Sequence, residues 1–159
     1  VYASEVSDDI VTLLESQKER MGWTVDFFAG TNTALPVGNA FFDYLLSCWS
    51  FYYLQGETVV PEVLKEIARV LKPGGYFIAG IPDAKNSVLQ GATLLDDGSM
   101  MIRNDPNKLR NGERFMVANN ADEVRALLAP YFDNIKVGYL YDDYFGLVVS
   151  GFVFVCQKV

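Results

Sequence analysis

The sequence predicts an α/β domain built on a doubly wound, mostly parallel sheet that ends in an antiparallel strand pair. Apolar segments of strand length alternate with segments of helical spacing over the first 81 residues, which is typical of parallel sheets covered by helices. Several strand segments are almost continuously apolar, as in strands buried on both faces. From residue 134 onward, two long apolar segments surround a short loop, which favours an antiparallel pair.

The start of the chain predicts a strand, a helix and a second strand. The first strand covers residues 1–4 and ends at Glu5. Ser7 is a favoured helix N-cap, and two aspartates follow it, where the helix dipole stabilises negative charge. Gly22 ends this helix, and residues 24–29 form the second strand. A loop rich in Thr, Asn, Pro and Gly comes next.

The centre of the chain repeats this order. Residues 43–49 form a nearly continuous apolar strand. Pro61 suits the first turn of a helix, and apolar residues follow it at helical spacing. The segment 72–75 (KPGG) ends this helix, because proline cannot continue it and the glycines permit a sharp turn. Residues 76–81 then form another buried strand.

The last third begins with a looser pattern over residues 83–115. Within it, residues 92–102 contain an Asp-Gly turn and predict a small hairpin. Asn120 can cap a short helix. Strands at 134–141 and 147–158 close the chain.

The composition restricts the classes of function. Half of the 159 residues are hydrophobic and 14% are aromatic, which fits one folded domain. No apolar run reaches the ~18–20 residues of a membrane span, so we expect no membrane partner. The net charge of −7, with scattered Lys and Arg, disfavours nucleic acid as a partner. The chain contains no histidine, so we expect no metal site.

The cysteines and the first residues suggest where the protein occurs. Cys48 and Cys156 each lie in an apolar stretch, and we expect two buried, reduced thiols in a cytoplasmic protein. The chain starts with Val1, without an initiator Met or a signal-peptide pattern. We therefore expect an excerpt, a processed product or an incomplete gene product.

Three segments carry a pattern that extends beyond secondary structure. Residues 1–9 (VYASEVSDD) form a strand with an acid at its tip and a helix cap directly after it. Residues 30–43 run from GTNTALP to NAFFD, and residues 66–75 read EIARVLKPGG. In this order they resemble the second strand, the "G-D-A-x-x-L-P … F-D" stretch and the "R-V-L-K-P-G-G" turn of the class I S-adenosylmethionine-dependent methyltransferase family. The third segment is the most specific.

The resemblance implies a Rossmann-like fold in a single, partial domain (1–159) that binds S-adenosylmethionine. A carboxylate such as Glu5, at the ligand edge of the sheet, can accept hydrogen bonds from both ribose hydroxyls; the alternative is a solvated acid at a helix start. Thr31 stands where the family has an adenine-binding aspartate, so an amide or hydroxyl must substitute, or the contact weakens. The implied cofactor-binding residues are Glu5, Val6, Thr31, Asn32, Ser47, Cys48 and Trp49; an ordinary turn at Thr31 and Asn32, and core packing at the last three, are the alternatives.

The acceptor side is less defined. Tyr52 and Tyr53 could line an acceptor pocket, and the alternative is simple packing of aromatic rings. We expect Asp43 to order the loop before its strand. The segment 83–115 is expected to be an acceptor-side lid, or else a surface insertion. We assign no catalytic residue, although a general base here would have to be a carboxylate or a tyrosine.

The family's first strand and glycine-rich loop have no counterpart in this sequence. In the family that strand lies at the centre of the sheet, between the second and fourth strands. Its loss would leave unpaired strand edges and a split core, which is costly. We therefore expect either preceding residues or a partner chain to fill the gap.

The leading functional hypothesis is an S-adenosylmethionine-dependent methyltransferase acting on a small-molecule acceptor, with weak or no transfer by these 159 residues alone. A non-catalytic methyltransferase-like partner or scaffold module is the alternative. A nicotinamide-dependent oxidoreductase is less favoured, because the KPGG turn and the terminal strand pair argue against it. Whether the protein is a homodimer stays open.

Overall fold

The computed structural model describes residues 1–105 and 108–159 as an α/β fold. The helices in these residues are α1 (Asp8–Met21), α2 (Val60–Val70) and α3 (Ala121–Leu128). The strands are β1 (Tyr2–Glu5), β2 (Asp26–Ala29), β3 (Phe42–Ser47), β4 (Tyr53–Leu54), β5 (Leu71–Pro82), β6 (Ala92–Leu94), β7 (Met100–Ile102), β8 (Arg114–Phe115), β9 (Phe132–Tyr144) and β10 (Leu147–Lys158).

The described strands form three sheets. β1 and β2 pair in parallel as a two-stranded sheet. The main sheet has the order β3-β5-β10-β9, in which β3 and β5 are parallel and β10 is antiparallel to both of its neighbours. A small antiparallel sheet has the order β4-β8-β7-β6. The mixed α/β fold and the closing antiparallel pair are thus confirmed.

The predicted capping residues at both ends of α1 and at the start of α3 are confirmed. The hydroxyl of Ser7 accepts a hydrogen bond from the backbone N–H of Ile10 at 3.4 Å. Gly22 adopts a left-handed conformation with φ of 66°, which glycine reaches without steric cost. The side chain of Asn120 accepts a bond from the N–H of Glu123 at 2.9 Å.

The strand that was predicted to follow the KPGG segment begins earlier than expected. β5 begins directly after α2, at Leu71, so KPGG lies inside this strand and not ahead of it. Leu71 pairs with Phe42, and the register then shifts before Tyr44. Gly75 makes this irregularity possible, because a Cβ there would lie 2.8 Å from the carbonyl oxygen of Lys72. Asp43 forms an ion pair with Lys72 at 2.8 Å within this exposed region.

The main core lies on one face of the main sheet. Alternate residues of β5, such as Phe77 and Ile81, are fully buried there. Apolar residues of α2 and α3, among them Leu64 and Leu128, pack into the same cluster. The small sheet extends this core through Phe115.

The segment 83–115 contributes most of the small sheet, and its predicted hairpin is confirmed by the pairing of β6 with β7. Gly98, in the turn, has φ of 81°. The prediction did not include the pairing of β4 with β8, two strands of two residues each. Within the segment, residues 106 and 107 lie outside the described part of the chain. The single-domain assignment and the lid role stay predictions.

The two cysteines differ in exposure. Cys156 is buried and Cys48 is exposed, and both are free thiols. The prediction of a buried Cys48 is wrong, because the residue follows the last residue of β3, where the chain leaves the sheet. Burial raises the pKa of Cys156 to about 12. No helix in the described residues is long and apolar enough to cross a membrane.

A close approach of backbones at Gly151 gives the first testable prediction. A Cβ at Gly151 in β10 would overlap with the carbonyl oxygen of Ile81 in β5. We expect Gly151→Ala to push these strands apart and to lower the free energy of unfolding by about 1–3 kcal/mol in urea denaturation. Gly138→Ala in β9 is the matched control, since its Cβ would meet Val153 at an ordinary 3.5 Å. Equal stability of the two variants would contradict this account.

Candidate functional site

The loops that follow β1, β2 and β3 meet at one end of the fold. The N–H of Gly30, after β2, donates to the carbonyl oxygen of Glu5 at 2.8 Å. The side-chain amide of Asn32 donates to the carbonyl oxygen of Ser50, after β3, at 3.1 Å. Since ligands in parallel α/β sheets bind at the carboxyl ends of the strands, this meeting point is the candidate site.

Glu5 is the last residue of β1 and is half-buried. Its backbone is fixed by Gly30, whereas its carboxylate makes no hydrogen bond or ion pair with another described residue. Val6, the next residue, is 64% exposed and precedes the N-cap of α1. The structure therefore leaves the Glu5 carboxylate available to a ligand at the mouth of the site.

Thr31 and Asn32 hold the loop after β2 in shape. Thr31 forms a tight turn with Ala34 through reciprocal backbone bonds of 3.2 and 3.1 Å. The amide nitrogen of Asn32 lies within 3.3 Å of the carbonyl oxygens of Ser50, Phe51 and Tyr53. Asn32 thus joins the loops after β2 and β3. The predicted contacts of both residues with a cofactor stay predictions.

Ser47, Cys48 and Trp49 begin the loop after β3. The buried hydroxyl of Ser47 accepts a bond from the N–H of Phe51 at 2.9 Å. Trp49 has a positive φ of 54°, which is uncommon for a bulky residue and often marks a functional loop. Its ring lies against β5, where a Cβ at Gly80 would meet it at 3.3 Å. Ser47 and Trp49 therefore have structural roles, and Cys48 is the exposed residue of the three.

The two tyrosines occupy different environments. Tyr52 is 4% exposed, and burial raises the pKa of its hydroxyl. Tyr53 is half-buried in β4, and its ring lies 4.4 Å from that of Phe115. A hydrogen bond to Tyr53 raises the pKa of Arg110. Tyr52 packs in the core, whereas Tyr53 and Arg110 form a polar edge; the acceptor-pocket assignment stays a prediction for both tyrosines.

Glu66 and Arg69 of α2 hold the loop after β2, which the sequence reasoning missed. The guanidinium of Arg69 donates two bonds of 2.7 Å to the Glu66 carboxylate. It also donates to the carbonyl oxygens of Val37 at 2.8 Å and Leu35 at 3.0 Å. Glu66 in turn accepts a 2.7 Å bond from the N–H of Leu35. An acid three residues before an arginine in α2 was the available signal.

Asp83, after β5, is a second buried carboxylate that the sequence reasoning left unassigned. It accepts bonds from the hydroxyls of Ser150 at 2.6 Å and Tyr139 at 2.7 Å, and from the N–H of Lys85 at 2.9 Å. Burial by itself would raise its pKa, but these hydrogen bonds outweigh that effect and lower it. A carboxylate stabilised in this way is a poor general base, so Asp83 anchors the end of β5 to β9 and β10.

A family model described as a methyltransferase domain matches residues 1–79. No curated protein matches the sequence. Among solved structures, a methyltransferase from Methanosarcina mazei has a TM-score of 0.73 at 19% identity. The match covers 100% of this chain and 82% of the Methanosarcina mazei chain. A possible histamine N-methyltransferase from Thermotoga maritima has a TM-score of 0.64 at 20% identity, with coverages of 99% and 72%. The N-methyltransferase NodS from Bradyrhizobium japonicum, solved with S-adenosylhomocysteine, has a TM-score of 0.62 at 12% identity, with coverages of 99% and 65%.

The matched segment and the shared architecture define the class of protein as a methyltransferase-type α/β domain. Over residues 1–79 the chain matches the methyltransferase-domain family, and its fold is that of the S-adenosylmethionine-dependent methyltransferases among these solved structures. The cofactor of that class is S-adenosylmethionine.

The pair Glu66–Arg69 gives a pH-dependent prediction. The hydrogen bonds from Arg69 lower the pKa of Glu66 in the folded protein, so this carboxylate stabilises the fold above its unfolded-state pKa. That contribution disappears as the pH falls through the lowered folded-state value. We expect Glu66→Gln to destabilise the protein by about 1–3 kcal/mol at pH 7. The difference from wild type should shrink as the pH falls below the ordinary glutamate pKa of 4.5 and through the lowered folded-state pKa of Glu66.

Urea denaturation at several pH values measures this difference. Glu57→Gln is the control, because Glu57 is exposed and carries the same charge. A gap between wild type and Glu66→Gln that stays constant with pH would show that the ionised carboxylate is not what stabilises the loop.

The three carbonyl contacts of Asn32 give a separate prediction. We expect Asn32→Ala to remove a donor that the carbonyl oxygens of Ser50, Phe51 and Tyr53 share and to cost about 1–2 kcal/mol of stability. Thr33→Ala in the same loop removes one bond between hydroxyls, of 3.3 Å to Thr31, and should cost less. Amide hydrogen exchange should rise around Ser50 and Phe51 in the first variant alone. Unchanged exchange there would mean that Asn32 does not hold the two loops together.

Proposed function

We propose that the protein transfers a methyl group from S-adenosylmethionine to a small-molecule acceptor. The observation that carries the proposal is the half-buried carboxylate of Glu5 at the carboxyl end of β1, to which no other described residue bonds. A carboxylate at this position of a parallel sheet can accept bonds from two neighbouring ribose hydroxyls. The loops after β2 and β3 lie beside it and would border the rest of the nucleoside.

The protein's own contribution to such a reaction is mainly geometric. A bound sulfonium cofactor supplies an electrophilic methyl group, and the transfer is an in-line displacement. The residues of the chain then have to bind and orient the reactants and exclude water. The rigid loops held by Asn32 and by Arg69 suit this task, because a small displacement of a binding group lowers the rate strongly.

Two observations favour a small acceptor. Two structural neighbours are described as N-methyltransferases, and one of these as a possible histamine N-methyltransferase, which names a small amine. The net charge of −7 disfavours a nucleic-acid acceptor and is compatible with a cationic amine. The half-buried ring of Tyr53, in β4 after the loop that follows β3, is the surface we assign to the acceptor side.

Removal of the Glu5 carboxylate tests the proposal. In the protein expressed from its complete reading frame, we expect calorimetric titration with S-adenosylhomocysteine to show binding. Glu5→Ala should weaken it roughly 10- to 100-fold, since two charge-assisted hydrogen bonds are lost. Glu19→Ala, which removes an acid from the far end of α1, should leave the affinity unchanged.

Other outcomes distinguish the alternatives. A folded wild-type protein that binds no S-adenosylhomocysteine would favour a non-catalytic scaffold module. A rise in melting temperature with NAD, but not with S-adenosylhomocysteine, would favour an oxidoreductase. Equal affinities of Glu5→Ala and Glu19→Ala would contradict the role of Glu5 while leaving cofactor binding itself intact.

A further inference from the structure

β9 is the outer strand of the main sheet. In the order β3-β5-β10-β9 it pairs with β10 on one side, and no described strand pairs with it on the other. The strand is 13 residues long, from Phe132 to Tyr144. An outer strand presents a row of unpaired backbone N–H and C=O groups to which another chain can add, and natural proteins usually keep such strands short. The free edge of β9 is therefore a candidate interface.

Two tyrosines lie along this edge, on the face of the sheet that carries the core. Tyr139 pairs with Phe152 and Tyr141 with Ser150, and both of these β10 residues are buried. The tyrosines themselves stay 49% and 53% exposed. The hydroxyl of Tyr139 donates to the carboxylate of Asp83 at 2.7 Å, which holds this ring in place. Because aromatic side chains are enriched in protein interfaces, the edge offers a partner more than backbone groups.

Two opposite charges lie on the other face of β9. Lys136 and Asp142 are both exposed, and neither forms an ion pair with another described residue. A lysine within an outer strand opposes pairing with other strands, unless the partner places an acid opposite it. A second copy of β9 can supply an acid for Lys136 and a base for Asp142 at the same time.

We infer that two copies of the protein associate through β9, with the two strands antiparallel around a two-fold axis at Tyr139. In such a pair, a residue that lies before the axis faces the residue equally far after it in the other copy. Lys136 lies three positions before Tyr139, and Asp142 lies three positions after it. Each Lys136 therefore faces Asp142 of the other copy, and the symmetry forms this pair twice. The two main sheets, with four strands each, become one continuous sheet.

The alternation of side chains makes this the register that pairs the charges. Residues that face each other across an antiparallel pair project from the same face of the sheet, whereas successive residues of one strand alternate between faces. Two facing residues of identical strands must therefore be an even number of positions apart. Asp133 and Asp143 are three and seven positions from Lys136 and cannot face it. Asp142 is the one acid of β9 that can.

The same register suits the core face of the strand. Tyr139 faces Tyr139 of the second copy, and Val137 faces Tyr141, which is a favourable pair of a β-branched and an aromatic side chain. Asp143 faces Ile135, so no two acids of β9 oppose each other. The net charge of −7 makes the two copies repel, but salt screens exposed charges more than about 8 Å apart at physiological ionic strength. Facing side chains have Cβ atoms only about 5 Å apart, so the Lys–Asp attraction is screened less.

Sedimentation equilibrium tests the association in the protein expressed from its complete reading frame. We expect the average mass to rise from that of one copy to that of two as the concentration increases. Lys136→Glu or Asp142→Lys alone should raise the dimer dissociation constant roughly 10- to 100-fold, because like charges then face each other twice. The double variant restores two opposite pairs and should return the constant to within roughly threefold of wild type. Lys65→Glu makes the same charge change at an exposed position of α2 and should leave the constant unchanged.

Amide hydrogen exchange locates the interface. We expect exchange in residues 135–143 to slow as the protein concentration rises, because free N–H groups of β9 become paired. β6 is the outer strand of the small sheet and serves as the internal control, since its exchange should not depend on concentration. Circular dichroism of each variant distinguishes a loss of association from a loss of fold.

Three results would overturn the inference. The first is a wild-type mass that stays that of one copy up to the solubility limit. The second is a dimer with the same dissociation constant in all of these variants, which would place the interface elsewhere. The third is a folded double variant that associates as weakly as the single variants, which would exclude this register. None of these measurements requires a cofactor, so the inference is independent of the proposed methyl transfer.

Discussion

The contact between Arg69 and the loop after β2 is the constraint on which the site depends. A planar guanidinium donates to the Glu66 carboxylate and, at the same time, to the backbone carbonyls of Val37 and Leu35. Lysine has no comparable fork of donors, so it cannot replace these bonds together. α2 belongs to the core of the main sheet, whereas the loop belongs to the β1–β2 pair. One partly buried ion pair therefore connects the two parts of the fold that carry the candidate site.

The loops of the site fix one another through backbone groups. Gly30 bonds to the carbonyl of Glu5, Asn32 bonds to carbonyls after β3, and Ser47 caps the N–H of Phe51. Each bond joins residues from different loops or closes a tight turn. A site built in this way is positioned before a ligand arrives, which lowers the entropic cost of binding.

The sequence predicted those features that depend on neighbouring residues and missed those that depend on distant ones. Ser7 and Asn120 cap the starts of α1 and α3, and Gly22 caps the end of α1, through contacts three or four residues away. The sequence predicted all three caps. The KPGG segment was misplaced, because its glycines serve an irregular pairing of β5 with β3 that only the sheet reveals. The missed strands of the small sheet, β4 and β8, contain two residues each, too few for a periodic signal. The bonds of Asn32 join residues about twenty positions apart, and no local pattern indicates them.

The candidate site residues fall into two groups, according to whether their side chains form hydrogen bonds with other described residues. The amide of Asn32 and the hydroxyl of Ser47 are engaged in holding loops, and substituting them would alter the shape of the site before it altered any contact with a ligand. The carboxylate of Glu5 is different, because no described residue bonds to it although the residue is half-buried. A carboxylate that bonds to no other described residue keeps its acceptor oxygens free for donors from a ligand. A substitution of the Glu5 side chain should therefore change ligand binding without changing the fold.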